Sequence, residues 1–406
     1  MAVELATLDG VLKRKYSSDN IARIQQLVAD FLGTIGQGSE KPGGENASVY
    51  GSIDLEIYQS GGAQNQNEQF RTDEYGTSKQ STIASKINIW PITLTNFAIE
   101  LTKGNAEAFM PGLKKRFDDA AIMMKKDENR QCFGYGQGVL ALVNGAIAAS
   151  TALVVDTPGV QNFFPGMRID VGTSLANLSA GVYEATNVKI SSINYATNTL
   201  TLATAVTVSD NSFIVRKGVG TSAPSDGKEM MGLQGITDDS TLFTTFQGLS
   251  RTTYETWRGT VVDAAGAALT ADLLQRAADK GERRSGQIID TIVSNRVQRR
   301  QYLNLTLPLK RFMSDKLDAG FQVLEWNGIK WLVSHECQTD KVYMYPKKLL
   351  KKYESYPIKL DDSNGSTLTR IPGTDTIEAY YKHYCNIGTW YPNAFTVIKS
   401  LATLSE

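Results

Sequence analysis

GGAQNQNEQFRTDEYGTSKQST, residues 61–82, offers only Ala63, Phe70 and Tyr75 to an apolar core, yet strand-like runs flank it on both sides. Before it, Ile53, Leu55 and Ile57 alternate with Ser52, Asp54 and Glu56. After it, Ile83, Ser85, Ile87 and Ile89 alternate with Ala84, Lys86, Asn88 and Trp90. Successive side chains of a strand point to opposite faces, so period-two alternation predicts half-buried β-strand. Paired, the runs make a two-stranded ribbon with a polar tip. An isolated hairpin is marginal in water, so something must cover the apolar face. Loops longer than about 12–15 residues are usually functional or disordered. The stretch therefore reads either as a surface loop without fixed structure or as an arm that lies on another subunit.

The 406 residues suffice for a large core and suggest two or three domains of about 150 residues each. Hydrophobic content of 41% and charged content of 21% are ordinary for a globular chain. Lys plus Arg equals Asp plus Glu at 42 each, which argues against a dedicated nucleic-acid binder with its basic stripe. MAVELATLDG carries Glu4 and no apolar segment, so it is not read as a secretory signal. The uncharged run from Gln131 to Val155 is interrupted by Gln137, Asn144 and four glycines, and no membrane span is expected. Cys132, Cys337 and Cys385 are odd in number and widely spaced, which fits a reducing compartment without a disulfide framework.

Ile21, Ile24, Leu27, Val28, Phe31 and Leu32 recur at helical spacing, with Ser18 or Asp19 placed to cap. That helix runs out near Gly33–Gly36 into GTIGQGSEKPGGENAS, a flexible connector by composition. Farther on, Leu113, Phe117, Ala120 and Met124 form one narrow stripe, with Lys114, Lys115, Asp118, Lys125 and Asp127 on the other faces and Pro111 in the first turn. The pattern predicts a long helix lying across a sheet. Gly134, Gly136 and Gly138 follow that helix rather than a strand, so they read as helix termination and not as a phosphate cradle. From Ser150 to Lys217 short β-segments and turn residues predict a small barrel or sandwich inserted into the main fold. LTADLLQRAADKGERR is helical with Thr270 as cap, IIDTIVSN is a short buried strand, and a second helix covers Asn295 to Tyr302. Strands alternate with brief helices thereafter, giving an α+β chain.

Reactive constellations are scarce. Only His335 and His383 are present, and His is the commonest general base and metal ligand. In SHECQ, His335 and Cys337 would share a face of a strand as a thiol–base pair. No third orienting group accompanies them, and they read as strand-end residues. The pairs Asp118/Asp119, Asp238/Asp239 and Asp361/Asp362 point in diverging directions on helix or strand and read as solvated faces and turns. PKKLLKKY, from Pro346 to Tyr353, reads as a solvated basic helix face. KRKY, from Lys13 to Tyr16, sits on the expected arm, where a partner surface would be acidic. No enzyme signature emerges, and no catalytic, cofactor-binding or metal-ligating residue is assigned.

The order of elements is itself a signal: helical arm, polar ribbon, long helix ending in glycines, β insertion, then α+β to the end. LDGVLKRKY before the arm helix, GNAEAFMPGLKKRF opening the long helix and NRQCFGYGQGVLALV closing it carry the likeness. So do EMMGLQGI after the insertion, FQGLSRTTYETWRGTVV, and NGIKWLVSHECQTDKVYMYPKKLLKKY. In this order the chain resembles the major capsid protein of tailed bacteriophages, the Hong Kong 97 type fold.

The resemblance implies an α+β capsid fold with an N-terminal arm at 1–48, an extended β-hairpin loop at 49–95 and a peripheral domain with a spine helix at 96–149. An inserted small β-domain, barrel-like, follows at 150–217. The peripheral domain continues at 218–262, an axial domain spans 263–372, and C-terminal strands of the peripheral domain span 373–406. It further implies hexamers and pentamers tiling an icosahedral shell, in the virion, around double-stranded DNA contacted without sequence specificity. It implies assembly in the host cytoplasm with a portal protein as partner and a decoration protein as an optional one, without membrane or cofactor. No long charged helical stretch precedes the arm, so a separate scaffolding protein is expected. Subunit-interface candidates are Lys13, Arg14 and Lys15 on the arm and Gln69, Phe70, Arg71, Asp73, Glu74, Tyr75 and Lys79 on the loop. Leu113, Phe117, Ala120 and Met124 form the structural spine. Head-to-tail contacts close identical subunits into rings, and a polar tip resists uncontrolled edge pairing beforehand. The alternatives are an encapsulin-like shell storing a protein cargo and a glycan- or host-binding protein that uses the β insertion.

Overall fold

In the computed structural model, which describes residues 31–43, 47–56, 62–67, 69, 76–96, 106–156, 159–217, 227–306, 325–362 and 367–403, the predicted ribbon is formed. A short strand β1 (Gly36–Gln37) precedes it. Strands β2 (Ser48–Asp54) and β3 (Ser78–Ala84) then pair antiparallel, in register from Ser48 opposite Ala84 to Asp54 opposite Ser78. The apolar side of the stem packs on the chain itself: Val49 and Ile83 lie against Tyr353 and Trp390. Leu55 enters the main core beside Phe246 and Trp257. Gly51 is required for this approach, because a Cβ there would stand 3.0 Å from the Trp390 ring.

The second half of the alternating run behaves differently from expectation. After Ser85 the chain joins another sheet as β4 (Lys86–Thr95). Ile87 and Ile89 are 60% and 45% exposed, while Asn88, Ile92 and Leu94 are buried. Changing the pairing partner at Ser85 swaps which face meets the core, and with a side-chain period of two the whole hydrophobic set changes sides.

Helix α1 (Ala106–Gln131) follows, with side chains described from Arg116 onward. Met124 is fully buried, Phe117 and Ala120 are half-buried, and Leu113 lies outside the described side chains. The Phe117 ring stands edge-on to Tyr381 at 6.4 Å, which seats the helix on a strand as the narrow stripe predicts. The helix stops at Gln131, ahead of the glycines expected to end it; Gly136 and Gly138 take left-handed backbone (φ 81° and 74°) on the way to the next strand.

Six strands, β5 (Val139–Leu142), β6 (Ile147–Val154), β7 (Arg168–Gly172), β8 (Ala185–Asn194), β9 (Thr199–Val208) and β10 (Phe213–Arg216), make one sheet in the order β5-β10-β7-β8-β9-β6. A short helix α2 (Leu175–Ser179) interrupts them, capped by Ser174. The two outer strands meet beyond their ends: Val143 bridges Val155, and Asp156 N–H donates to the Leu142 carbonyl at 2.9 Å. Closure of this kind removes free edges. Leu140, Leu153, Ile169, Ile190, Leu200 and Ile214 fill the inside. The sheet recruits Val139–Leu142, ahead of the expected boundary at 150, because that hydrophobic run supplies the strand beside β10.

A one-turn helix α3 (Leu233–Ile236) leads to the hairpin β11 (Thr245–Phe246) and β12 (Leu249–Ser250), then β13 (Thr260–Asp263). Helix α4 (Ala271–Ser285) starts where Thr270 Oγ1 accepts from Leu273 N–H at 3.1 Å and stops at left-handed Gly286. Strand β14 (Thr291–Ser294), helix α5 (Arg296–Thr306) and strands β15 (Glu325–Trp326), β16 (Ile329–Val333) and β17 (Val342–Tyr345) follow. The chain ends with β18 (Lys351–Leu360), β19 (Thr369–Arg370), β20 (Thr376–Gly388) and β21 (Thr396–Lys399).

A mixed sheet of order β13-β21-β17-β14-β16-β15 forms the middle of the body. Its two faces carry separate cores, as alternation requires: Val293, Tyr343, Tyr345 and Val397 on one, Ile292, Val342, Met344 and Ile398 on the other with α4. The long strand β20 pairs with β4, β18 and β19, and β1 adds to β18 in parallel. The fold class is α+β.

Three expectations change here. Strand β18 belongs to the long sheet rather than to the 263–372 unit, and β21 belongs to the mixed sheet rather than to the 373–406 unit. KKLLKKY is a single 3-10 turn, Lys347–Leu349, running into β18 instead of a helix face. Within the glycine-rich connector, Gly36–Gln37 is a strand on Lys351–Lys352, and Gly38 lies against the Tyr353 ring, where a Cβ would come within 2.6 Å.

Candidate functional site

Helix α1 ends in five consecutive polar residues, Asp127, Glu128, Asn129, Arg130 and Gln131. A solvated helix end would leave them in water, yet Glu128, Asn129, Arg130 and Gln131 are buried. Each holds a different part of the chain. Asn129 Oδ1 accepts from the N–H groups of Phe31 and Leu32 at 3.0 and 2.9 Å, and the Phe31 ring packs tilted against Phe133 at 4.8 Å. Its amide donates to Glu336 at 2.8 Å. Gln131 accepts from Met230 N–H at 3.1 Å. Arg130 bridges Asp127 at 3.1 Å and Glu229 at 2.5 Å. From the last barrel strand, Arg216 reaches Asp127 at 3.3 Å while its guanidinium lies over Trp90 at 4.6 Å.

Two carboxylates at a helix C-terminus oppose the helix dipole, so their partners have to compensate. Burial alone would raise Asp127, but the charges of Arg130 and Arg216 hold it below the usual carboxylate range. Burial raises Glu229, despite Arg130. Removing one partner of such a buried pair costs about 3–5 kcal/mol, because the survivor stays desolvated.

Glu128 meets the C-terminal half of the chain. Its Oε1 lies 2.6 Å from Nδ1 of His383 on β20, and Nε2 of His383 lies 2.7 Å from Glu354 on β18. Cys385 is on the same strand, its Sγ 3.3 Å from that Nδ1, and burial pushes its thiol well up. Glu128, His383 and Cys385 are the group among the described residues with donor atoms close enough to hold a metal ion. Sequence reasoning noted His383 without giving it a partner. The only local signal is its spacing of two from Cys385.

The other candidates fall out as follows. His335 is exposed and Cys337 buried in the turn after β16, so SHECQ is not a strand and the two do not share a face. Asp238 is not solvated: buried Arg251 pairs with it at 3.2 Å, and the N–H groups of Ser240 and Leu242 donate to it. Asp361 pairs with Lys382 at 2.5 Å and Asp362 with Lys359 at 3.2 Å. All three cysteines are buried free thiols. Of the interface candidates, Gln69 and Lys79 are exposed, as are Gly62–Asn67 at the ribbon tip. Lys13, Arg14, Lys15, Phe70, Arg71, Asp73, Glu74 and Tyr75 lie outside the described residues. Among the described residues no helix is long and apolar enough to cross a membrane.

No protein-family model matches the sequence. No curated protein matches it either. Among solved structures, the capsid asymmetric unit of cyanophage A-1(L) is similar at TM-score 0.59 and 12% identity, over 99% of this chain and 100% of that one. The capsid of an empty GTA particle (TM-score 0.49, 11% identity, 99% of each chain) and a structure from Mycobacterium phage Bobi (0.48, 8%, 98% of this chain and 99% of that one) are more distant. A likeness at such identity speaks to architecture and not to chemistry. The long helix seated on a long sheet, the mixed sheet and the projecting ribbon together have the fold of a tailed-phage major capsid protein.

Proposed function

We propose that this chain is the building block of an icosahedral phage head of the Hong Kong 97 type, self-assembling into hexamers and pentamers around double-stranded DNA. The observation that carries the reading is the end-to-end likeness to the cyanophage capsid subunit. In this reading α1 is the spine of the peripheral domain and the mixed sheet with α4 is the core of the axial domain. The closed barrel is an insertion presented on the shell, and residues 1–48 and 49–95 are the arm and extended loop that reach neighbouring subunits. The role is structural, not catalytic, and its place is the virion. Zero formal charge suits DNA that is enclosed rather than gripped. A portal and a separate scaffolding protein are the expected partners, and a decoration protein is an optional one.

Electron microscopy of the full chain, expressed with and without its neighbouring genes, tests this. Closed shells with hexameric and pentameric capsomers support it, and a chain that stays monomeric at high concentration with those genes present overturns it. Particles that copurify a protein cargo in place of DNA would make it an encapsulin-like compartment.

A further inference from the structure

Where the end of α1 crosses β20, four donors of different chemistry converge. Glu128 comes from the last turn of the helix. His383 and Cys385 lie two residues apart on β20, which puts both on its inner face. Met230, just past the barrel, brings its Sδ to 3.0 Å from Cys385 Sγ. All four residues have 0% exposure. One donor atom each from Glu128, His383 and Cys385 fall within 4.8 Å of one another. Asn88 donates to Glu128 Oε1 at 3.3 Å, but Glu128 Oε2 is buried with no hydrogen-bond partner. An orphaned carboxylate oxygen in a dry site is costly and calls for a ligand.

We propose that this is a metal site, binding a zinc-class divalent cation through the Glu128 carboxylate, His383 Nδ1 and the Cys385 thiolate, with the Met230 thioether as fourth neighbour. Mixed nitrogen, sulfur and oxygen donors suit zinc, whereas calcium and magnesium take oxygen. The second shell is already in place. Glu354 accepts from His383 Nε2–H at 2.7 Å, which leaves the Nδ1 lone pair for the ion, and Lys352 stands 3.5 Å from Glu354. One carboxylate and one thiolate cancel the two charges of the ion, so the interior carries no net charge. Without the ion, a proton has to sit in the Glu128–His383 contact and another on the thiol. Metal binding releases both, and because the site is closed off, the ion enters as the chain folds.

The test is to unfold the full chain in chelator, refold it with zinc chloride or with EDTA, dialyse, and measure zinc by mass spectrometry. One zinc per chain is expected, with a higher unfolding temperature than the EDTA sample. Cys385→Ser should lose the zinc, and Cys337→Ser, a thiol outside the site, should keep it. If Cys385→Ser does not fold, cobalt(II) in the wild-type chain gives the answer, since a thiolate-to-cobalt charge-transfer band requires a cysteine ligand. That band should persist in Cys337→Ser. Zinc no higher than in the EDTA control, zinc retained equally by Cys385→Ser, or cobalt bound without the band would each overturn the proposal.

Discussion

His383 Nδ1 and the Glu128 carboxylate meet at 2.6 Å across 255 residues of sequence, with neither side chain exposed. The contact fastens the end of α1 to β20, and so ties the helix that follows the ribbon to the strand on which that helix lies. Replacing His383 by alanine leaves Glu128 desolvated and short of its main partner. A loss of about 3–5 kcal/mol is expected, read as a lower denaturant midpoint. An unchanged midpoint would mean that the pair is not what holds the helix end.

The same histidine makes stability depend on acid. Burial alone would raise the Glu354 carboxyl, but the hydrogen bond from His383 and the charge of Lys352 hold it below its ordinary value. A lowered carboxyl pKa adds stability that is present above the unfolded value of about 4.3 and is lost as pH falls through the folded value. Denaturant midpoints should therefore drop on acidification below about pH 4.3, and Glu354→Gln should flatten that limb. A variant with the full wild-type slope would remove Glu354 from the account.

Arg216 joins the barrel to the body through Asp127 and the Trp90 ring. Its side chain is 34% exposed, so the ion pair is partly screened. Arg216→Ala should cost about 1–2 kcal/mol. Amide exchange should quicken along the seam between α1 and β10 while the barrel interior, closed on itself, keeps its protection. Equal loss of protection inside the barrel would show that it depends on the body.

Gly232 lies where no side chain fits. A Cβ there would stand 2.4 Å from the Gln131 carbonyl oxygen and 2.6 Å from the Cys132 carbonyl carbon, and main chain cannot swing away. Leu233 N–H donates to the Cys132 carbonyl at 2.7 Å and holds the two segments together. Gly232→Ala should destabilise by at least about 1–3 kcal/mol, whereas Gly43→Ala, with nothing within 4 Å, should be near neutral. Similar melting of the two variants would contradict this.

In the proposed shell the ribbon tip should serve assembly and not folding. Its stem packs on Tyr353 and Trp390 of the same chain, and its described tip residues are exposed. Deleting Gly62–Tyr75 should leave thermal unfolding unchanged and abolish shells under the electron microscope. Normal particles from the deletion variant would show that the tip makes no essential contact between subunits.

Periodicity written into the chain was enough to announce a ribbon, though its strands run Ser48–Asp54 and Ser78–Ala84, several residues ahead of the alternating runs, and to place the narrow stripe of α1, the Thr270 cap of α4, the buried strand at Thr291–Ser294 and the β character of the insertion. Each depends on neighbours a few residues away, which is what local backbone geometry responds to. Tertiary structure decided the rest. The polar residues Glu128–Gln131 at the end of α1 form a buried hub with half-buried Asp127, because Phe31, Met230, Arg216 and His383 arrive from four distant segments to satisfy it. Ile87 and Ile89 read as core and ended exposed, and β18 and β21 each joined the other unit's sheet. A strand's buried face and a polar group's burial are set by whatever pairs with them, and those partners lie far away in sequence.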